Sequence, residues 1–288
     1  MSERRSALKK MVLGTAALSG MPYLNLKANN KQNMLKGNIN HSVCRWTYGH
    51  LSLDELCVLI KDIGFSAIDL LGPNDWPTAQ KHGVYSSMCN GAEISLEEGF
   101  NHTEYHDTLI KNYSEMIPLV AKNGYKNLIC FSGNRNGMDE ETGLQNSVKG
   151  LQKLLPLAEK HGVTLTMELL NSKVNHPDYM CDKSVWGVEL CKRLDNENFN
   201  LLYDIYHMQI DEGDVIRTIG ENHQYYGHYH TAGNPGRNEI DDTQELNYPA
   251  IIKAIAKTGF KGYIAQEFIP KADDKAASLR EAIALCDI

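Results

Sequence analysis

The amino-acid sequence predicts an α/β fold, an eightfold repeat of strand and helix closed into a parallel (β/α)8 barrel. Three observations predict it. Short apolar runs alternate with stretches of helical periodicity from Ile39 onward. The helical pattern stops five times at a glycine that an apolar residue follows, at Gly64-Phe65, Gly83-Val84, Gly124-Tyr125, Gly162-Val163 and Gly259-Phe260. Glycine takes the left-handed conformation that ends a helix and releases the chain into the next strand. Eight candidate strands fit within about 250 residues, the usual span of a TIM barrel.

The strands are expected at 39–46, 66–71, 84–89, 127–131, 164–169, 201–205, 226–231 and 263–267. The first helix is well marked. Leu53, Leu56, Leu59, Ile60 and Ile63 share one face, and Ser52 with Glu55 three residues later forms a capping box. The second periodic set is Tyr105, Leu109, Tyr113, Met116 and Val120, and the third is Leu144, Val148, Leu151, Leu155 and Ala158. Strands that alternate with helices pair in parallel, because each crossover returns across the sheet. No GxGxxG or Walker loop follows any strand, which disfavours an open doubly wound sheet. No Pro-, Gly- or Ser-rich linker divides residues 29–288, so one catalytic domain is expected there.

Residues 1–28 read as a signal peptide. Arg4-Arg5 precedes Ser6-Ala7-Leu8-Lys9 and an apolar stretch from Met11 to Leu18 that is too short to span a bilayer. The paired arginines resemble a twin-arginine signal, with Ala7 where a bulky aromatic is usual. A periplasmic or otherwise exported protein is expected, with no membrane insertion after signal removal. The other reading is an ordinary basic, amphipathic N-terminus.

The chain of 288 residues is 42% apolar and 23% charged, with net charge −7. An acidic balance argues against a nucleic-acid partner. The seven cysteines form no CxxC pair, so a thiolate zinc site is not expected, and they read as buried small hydrophobes.

In such a barrel the chemistry sits at the C-terminal ends of the strands. The last four candidate strands end in metal-capable residues: Met167-Glu168-Leu169, Tyr203-Asp204-Ile205, Gly227-His228-Tyr229-His230 and Gln266-Glu267-Phe268. One carboxylate in an apolar strand is most simply a buried salt bridge. Two Glu, one Asp and a His on four consecutive strand ends converge on one axis and outweigh that reading. This oxygen-rich set suits one divalent ion, Mn²⁺, Mg²⁺ or Co²⁺, with Zn²⁺ also admitted.

Three strings follow in order. They are Tyr203-Asp204-Ile205-Tyr206-His207-Met208-Gln209 with Glu212-Gly213-Asp214, Gly227-His228 leading into Ala232-Gly233-Asn234-Pro235-Gly236-Arg237, and Gln244-Glu245-Leu246-Asn247-Tyr248. They resemble the hydroxypyruvate isomerase family of the xylose-isomerase-like TIM barrel superfamily, in an exported twin-arginine branch. The resemblance covers most of the chain after residue 40 and is strongest over 164–268. It implies a metal held by Glu168, Asp204, His230 and Glu267, the two Glu as acid/base pair, and substrate held by His207 and Arg237. The chain departs from the pattern in three places. Some hydroxypyruvate isomerases carry Gln at His230, related ketose 3-epimerases carry Glu near Val174, and the family Asp is Gly233 here.

The implied reaction moves a proton between adjacent carbons of a keto-sugar or keto-acid through a metal-stabilised enediolate. His207 would donate to a substrate oxygen, and Arg237 would grip a carboxylate or hydroxyl. Ketose 3-epimerisation and dehydration of an inosose or keto-glycoside remain open on the same site. An AP endonuclease needs more ligands and a basic face, and a sugar-binding barrel would not need both Glu. A homo-oligomer is compatible with this reading. His41, Arg45 and Trp46 near the end of strand one are candidates to line the pocket, although Trp46 equally suits wall packing. His102, Glu104 and His106 read as helix-start residues rather than a second metal site, and His176-Pro177-Asp178 as a lid or a plain turn.

Overall fold

The chain is described by a computed structural model covering residues 35–288, and the expected signal peptide at 1–28 lies outside the described residues. Strand β1 (Asn40–Val43) is shorter than expected, because the chain turns into a 3-10 helix at Arg45–Tyr48. The Arg45 guanidinium holds that turn by donating to Tyr48 O at 2.9 Å and Leu51 O at 3.0 Å. Helix α1 (Leu53–Ile63) opens with the expected capping box. Glu55 N donates to Ser52 Oγ at 3.2 Å, and Ser52 N donates back to the Glu55 carboxylate at 2.8 Å. The helix ends at Gly64, whose φ of 116° only glycine adopts without strain.

There follow β2 (Ala67–Leu71), α2 (Trp76–Lys81), β3 (Tyr85–Cys89), α3 (His106–Lys122) and β4 (Asn127–Cys130). The third periodic set splits into α4 (Glu140–Leu151) and α5 (Leu155–His161). Pro156 explains the break, because in a continuous helix its ring would strike the carbonyl of Gln152, four residues back. The chain continues through β5 (Thr164–Glu168), α6 (Ser184–Leu194), β6 (Phe199–Asp204), α7 (Ile205–Asp211), α8 (Val215–Asn222) and β7 (Tyr226–Thr231). It ends with α9 (Tyr248–Lys257), β8 (Tyr263–Gln266) and α10 (Lys275–Cys286).

The eight strands are parallel, in the order β1-β8-β7-β6-β5-β4-β3-β2. An isolated parallel bridge between Cys44 and Asp69 joins the two edges and closes the barrel. The ladders are uneven. β5–β6 and β6–β7 each share four residue pairs and β7–β8 three, whereas β3–β4 meets at Cys89–Leu128 alone. Strand residues such as Val43, Ile68, Leu165, Leu201 and Ile264 share one buried apolar cluster with helix residues such as Leu56, Ile60, Ile117, Ile251 and Ile255. Burial of that layer is the main favourable contribution to folding. Gly187 lets α6 approach β6, since a Cβ there would lie 2.8 Å from Leu201. All seven cysteines are free and buried, as expected of small hydrophobes. Among the described residues no helix is long and apolar enough to cross a membrane.

Candidate active site

Four strand ends bring four side chains to one point. Glu168 closes β5, Asp204 closes β6, His230 lies next to last in β7, and Glu267 follows β8. All four are buried, with ligand atoms within 4.8 Å of one another. His230 Nδ1 stands 3.1 Å from Glu168 Oε1, 2.8 Å from Glu267 Oε2 and 3.9 Å from Asp204 Oδ2. Asp204 also caps α7, its Oδ1 accepting from His207 N at 3.0 Å, so this carboxylate is fixed by the fold.

The electrostatics of the cluster are divided. Burial, and then the charge on Glu267, push the carboxyls of Asp204 and Glu168 above the usual carboxylate range. Burial opposes the charge on Glu267 as well, but His230 and Arg237 outweigh it and hold Glu267 well below that range. Burial likewise opposes the charge on His230. Its contacts with Cys44, Glu267 and Asp69 outweigh it, and the ring keeps a second proton well above the usual histidine value.

Three carboxylates and an imidazole at this spacing fit a divalent cation. Asp204 Oδ2 is buried with no hydrogen-bond partner, a costly state for a carboxylate oxygen unless a cation satisfies it. The mixed oxygen and nitrogen donors suit Mn²⁺, Mg²⁺, Co²⁺ or Zn²⁺.

A second ring of residues orients the first. Trp46 Nε1 donates to Glu267 Oε1 at 2.8 Å, and Arg237 Nη2 donates to Glu267 Oε2 at 2.6 Å. The Arg237 guanidinium lies 5.1 Å from the Trp46 ring centre and 5.5 Å from that of Tyr206, within cation–π range of both. Its backbone is in the left-handed region, φ 59°, pinned by Arg237 N to Gly233 O at 2.8 Å and Ile269 N to Arg237 O at 2.7 Å. His207 Nδ1 accepts from Asn171 N at 3.2 Å and lies 2.5 Å from Asn171 Nδ2. A nitrogen that accepts carries no proton, so the proton sits on Nε2, which is buried, unpartnered and 3.7 Å from Asp204 Oδ2. Burial, and then Arg237, keep His207 neutral to well below the usual histidine value.

The model of the xylose isomerase-like TIM barrel family matches residues 57–287. The chain belongs to that family. Among relatives, the 2-oxo-tetronate isomerase of Cupriavidus necator is 34% identical over 119 residues, 41% of this chain and 45% of that one. The 2-oxo-tetronate isomerase of Pectobacterium atrosepticum is 28% identical over 223 residues, 73% of this chain and 84% of that one. A human protein provisionally named hydroxypyruvate isomerase is 30% identical over 107 residues, 37% of this chain and 39% of that one. Two solved structures share the fold. The family 2 AP endonuclease of Brucella melitensis has a TM-score of 0.74 at 21% identity, covering 84% of this chain and 97% of its own. The IolI protein with a bound zinc atom has a TM-score of 0.67 at 17% identity, covering 86% of this chain and 95% of its own.

In this xylose isomerase-like barrel, seven of the eight residues expected at the site come together: Glu168, Asp204, His230, Glu267, His207, Arg237 and Trp46. His41 does not. Successive strand residues face opposite sides. Ser42 points to the barrel interior, where its Oγ lies 2.6 Å from Ser87 Oγ. His41 therefore faces the helices, 6.5 Å from the Phe65 ring and 3.7 Å from Asp287. Arg45 is turned back onto its own 3-10 helix. His106 Nε2 lies 2.9 Å from Phe100 O, and the three metal-capable groups among the described residues all include His230, so His102, Glu104 and His106 form none. The loop residue His176 does reach the site, its ring centre 5.3 Å from that of His207.

Asp69 is outside the set expected from the sequence, yet its Oδ2 lies 2.8 Å from His230 Nε2 and 3.1 Å from His228 Nε2. Burial opposes its charge, but His228 and His230 outweigh it and hold the carboxyl well below the usual range. The signal in the sequence is one acid within Ala67-Ile68-Asp69-Leu70-Leu71, a run whose other members are all apolar.

Proposed function

We propose that this chain is a divalent-metal-dependent isomerase of the hydroxypyruvate isomerase kind, moving a proton between adjacent carbons of a small keto-acid or keto-sugar. The observation that carries it is the convergence of Glu168, Asp204, His230 and Glu267, with Asp204 Oδ2 buried and unsatisfied. Those four residues would hold the ion. When bound, it polarises substrate oxygens and stabilises the negative charge that develops on them.

The chain's own residues supply the rest. Glu267 has both carboxylate oxygens engaged, one by Trp46 and one by Arg237, so it is oriented and ionised. Glu168 Oε1 faces His230, and no protein donor among the described residues reaches its Oε2. That free oxygen takes the proton from the substrate carbon and returns it to the neighbouring carbon, while Glu267 carries the substrate hydroxyl proton to the former carbonyl oxygen. His207 Nε2–H donates to a substrate oxygen as a neutral group. Arg237, stacked between Trp46 and Tyr206, presents its remaining N–H groups to a carboxylate or hydroxyl of the substrate. The isomerase names of the two 2-oxo-tetronate relatives and the zinc in the IolI structure support this reading. The reading extends to location, with residues 1–28 directing export.

The test is exchange of substrate hydrogen with solvent. Metal-loaded protein is incubated in D₂O with hydroxypyruvate, ketoses and keto-glycosides, and the products are read by NMR. Deuterium at the carbon beside the carbonyl, with aldose–ketose conversion, supports an isomerase. Deuterium with inversion at C3 identifies an epimerase instead, and absence of exchange in every substrate overturns catalysis of this kind.

A further inference from the structure

Beneath the four converging side chains lies a buried polar chain that the mechanism does not use. Asp69 on β2 is fully buried, and its Oδ2 faces the Nε2 atoms of His230 at 2.8 Å and His228 at 3.1 Å. The Ser87 hydroxyl donates to Asp69 Oδ1. Ser42 Oγ lies 2.6 Å from Ser87 Oγ, and because Ser87 gives its proton to Asp69, Ser42 is the donor in that pair. The order Ser42 to Ser87 to Asp69 is thus directional and ends on a carboxylate. Cys44 Sγ sits 3.7 Å from His230 Nε2, too long and too weak an acceptor to orient the ring by itself.

An ionised carboxylate has no proton to give, so the ring nitrogens facing it are N–H donors. For His230 this keeps a proton on Nε2, so that the nitrogen left to lose its proton to a cation is Nδ1. The other nitrogen, Nδ1, is the one turned to Glu168, Asp204 and Glu267. Asp69 comes from β2 and His230 from β7, so the contact spans the barrel interior rather than following a ladder. His228, two residues before His230 on the same face of β7, shares the oxygen and braces the carboxylate from the side.

We propose that Asp69 is the positioning residue of the metal centre: it fixes the orientation and tautomer of His230 so that Nδ1 offers its lone pair to the cation, with Ser87 and Ser42 holding Asp69 in turn. A carboxylate behind a ligating histidine orients the ring and raises its basicity, and losing such a partner typically weakens metal binding about 10–100-fold. The proposal rests on the metal-dependent reading above and adds to it a residue that touches neither substrate nor ion.

The experiment has two arms on the full-length protein. In the first, Mn²⁺ is titrated into wild type and Asp69→Asn, with circular dichroism to establish that both are folded. The variant should bind Mn²⁺ about 10–100-fold more weakly. Equal affinity in a folded variant overturns the proposal and leaves the metal site standing. Failure of the wild type to bind any divalent ion overturns both. The second arm does not depend on the variant folding. In ¹⁵N-histidine spectra of Zn²⁺-loaded wild type, with His230 assigned by its loss in His230→Gln, the proton should sit on Nε2 and the metal on Nδ1. The reverse arrangement overturns the proposal.

Discussion

The Trp46 indole N–H donates to Glu267 Oε1 at 2.8 Å, joining the turn after β1 to the residue after β8 across 221 positions of sequence. The same indole lies 5.1 Å from the Arg237 guanidinium, which holds the other Glu267 oxygen. Trp46 is 46% exposed, so it is not part of the core, and its indole is held by its polar contact with Glu267. Trp46→Phe keeps the stacking and removes the N–H. A hydrogen bond to a charged group contributes about 1.5–3 kcal/mol. Turnover should therefore fall by roughly 10-fold or more, with thermal stability little changed. Steady-state kinetics beside a melting curve check this, and unchanged kcat would show that Glu267 does not need the indole.

The proton-carrying role proposed for the two glutamates should be separable from their proposed hold on a metal. Glu168→Gln and Glu267→Gln are each expected to lower kcat by about 10²-fold or more, the scale of a lost acid/base group. Metal content measured on the same samples distinguishes lost chemistry from lost cation. Near-normal turnover in both variants would remove them as the proton carriers.

His207 is held as a neutral donor by Asn171, so removing the partner should act like removing part of the donor. His207→Ala should cut kcat/KM strongly while leaving Mn²⁺ bound. Asn171→Ala should do the same more mildly, because Nδ1 keeps its backbone partner at 3.2 Å. Burial, and then Arg237, lower the His207 pKa, so the ring stays neutral as pH drops through the usual histidine value. Its loss as a neutral donor should thus not set the acid limb of the pH–rate profile near that value. Kinetics of wild type and His207→Ala across acidic pH decide the point.

Metal binding should release a proton. Without a cation, His230 keeps its second proton to well above the usual histidine value, burial being outweighed by Cys44, Glu267 and Asp69. A cation must displace the proton on Nδ1. Affinity should therefore rise with pH until that raised pKa is passed, by up to about tenfold per unit for one proton. Calorimetry in buffers of different ionisation enthalpy measures the proton directly, and a pH-independent affinity with no proton release would contradict it.

The paired Arg4 and Arg5 should matter for location and not for catalysis. Arg4→Lys with Arg5→Lys is expected to leave activity intact and hold the precursor in the cytoplasm. Fractionation of the native host, with the N-terminus of the exported form sequenced, checks this. Uncleaved wild type confined to the cytoplasm would contradict it.

Much of the fold was legible because its signals are local. A capping box at Ser52 and glycines at helix ends act within a few residues, and β7 spans the same residues as its expected strand. The convergence of Glu168, Asp204, His230 and Glu267 was legible because carboxylates at the ends of apolar strands violate burial rules unless something compensates. His41 was misplaced because strand parity was not yet fixed. Once Ser42 is known to face inward, its neighbour must face out. Asp69 escaped for a different reason. Its partners are 159 and 161 residues away, and no local pattern reports a contact made across a barrel. Trp46 and His176 were candidates in the sequence, but their partners, Glu267 and His207, come from distant parts of the chain and are seen only in the folded barrel.

The unevenness of the ladders leaves two thin seams in an otherwise well-paired barrel. Six of the seams share three or four paired residues, while β1–β2 and β3–β4 are each joined at one position. Backbone amides exchange with solvent soonest where few paired groups must open together. Local breathing should thus be concentrated at the β1–β2 and β3–β4 seams. Because Asp69, Ser87 and Ser42 lie on the strands beside these two seams, opening there would be felt at His230 through the Asp69 contact.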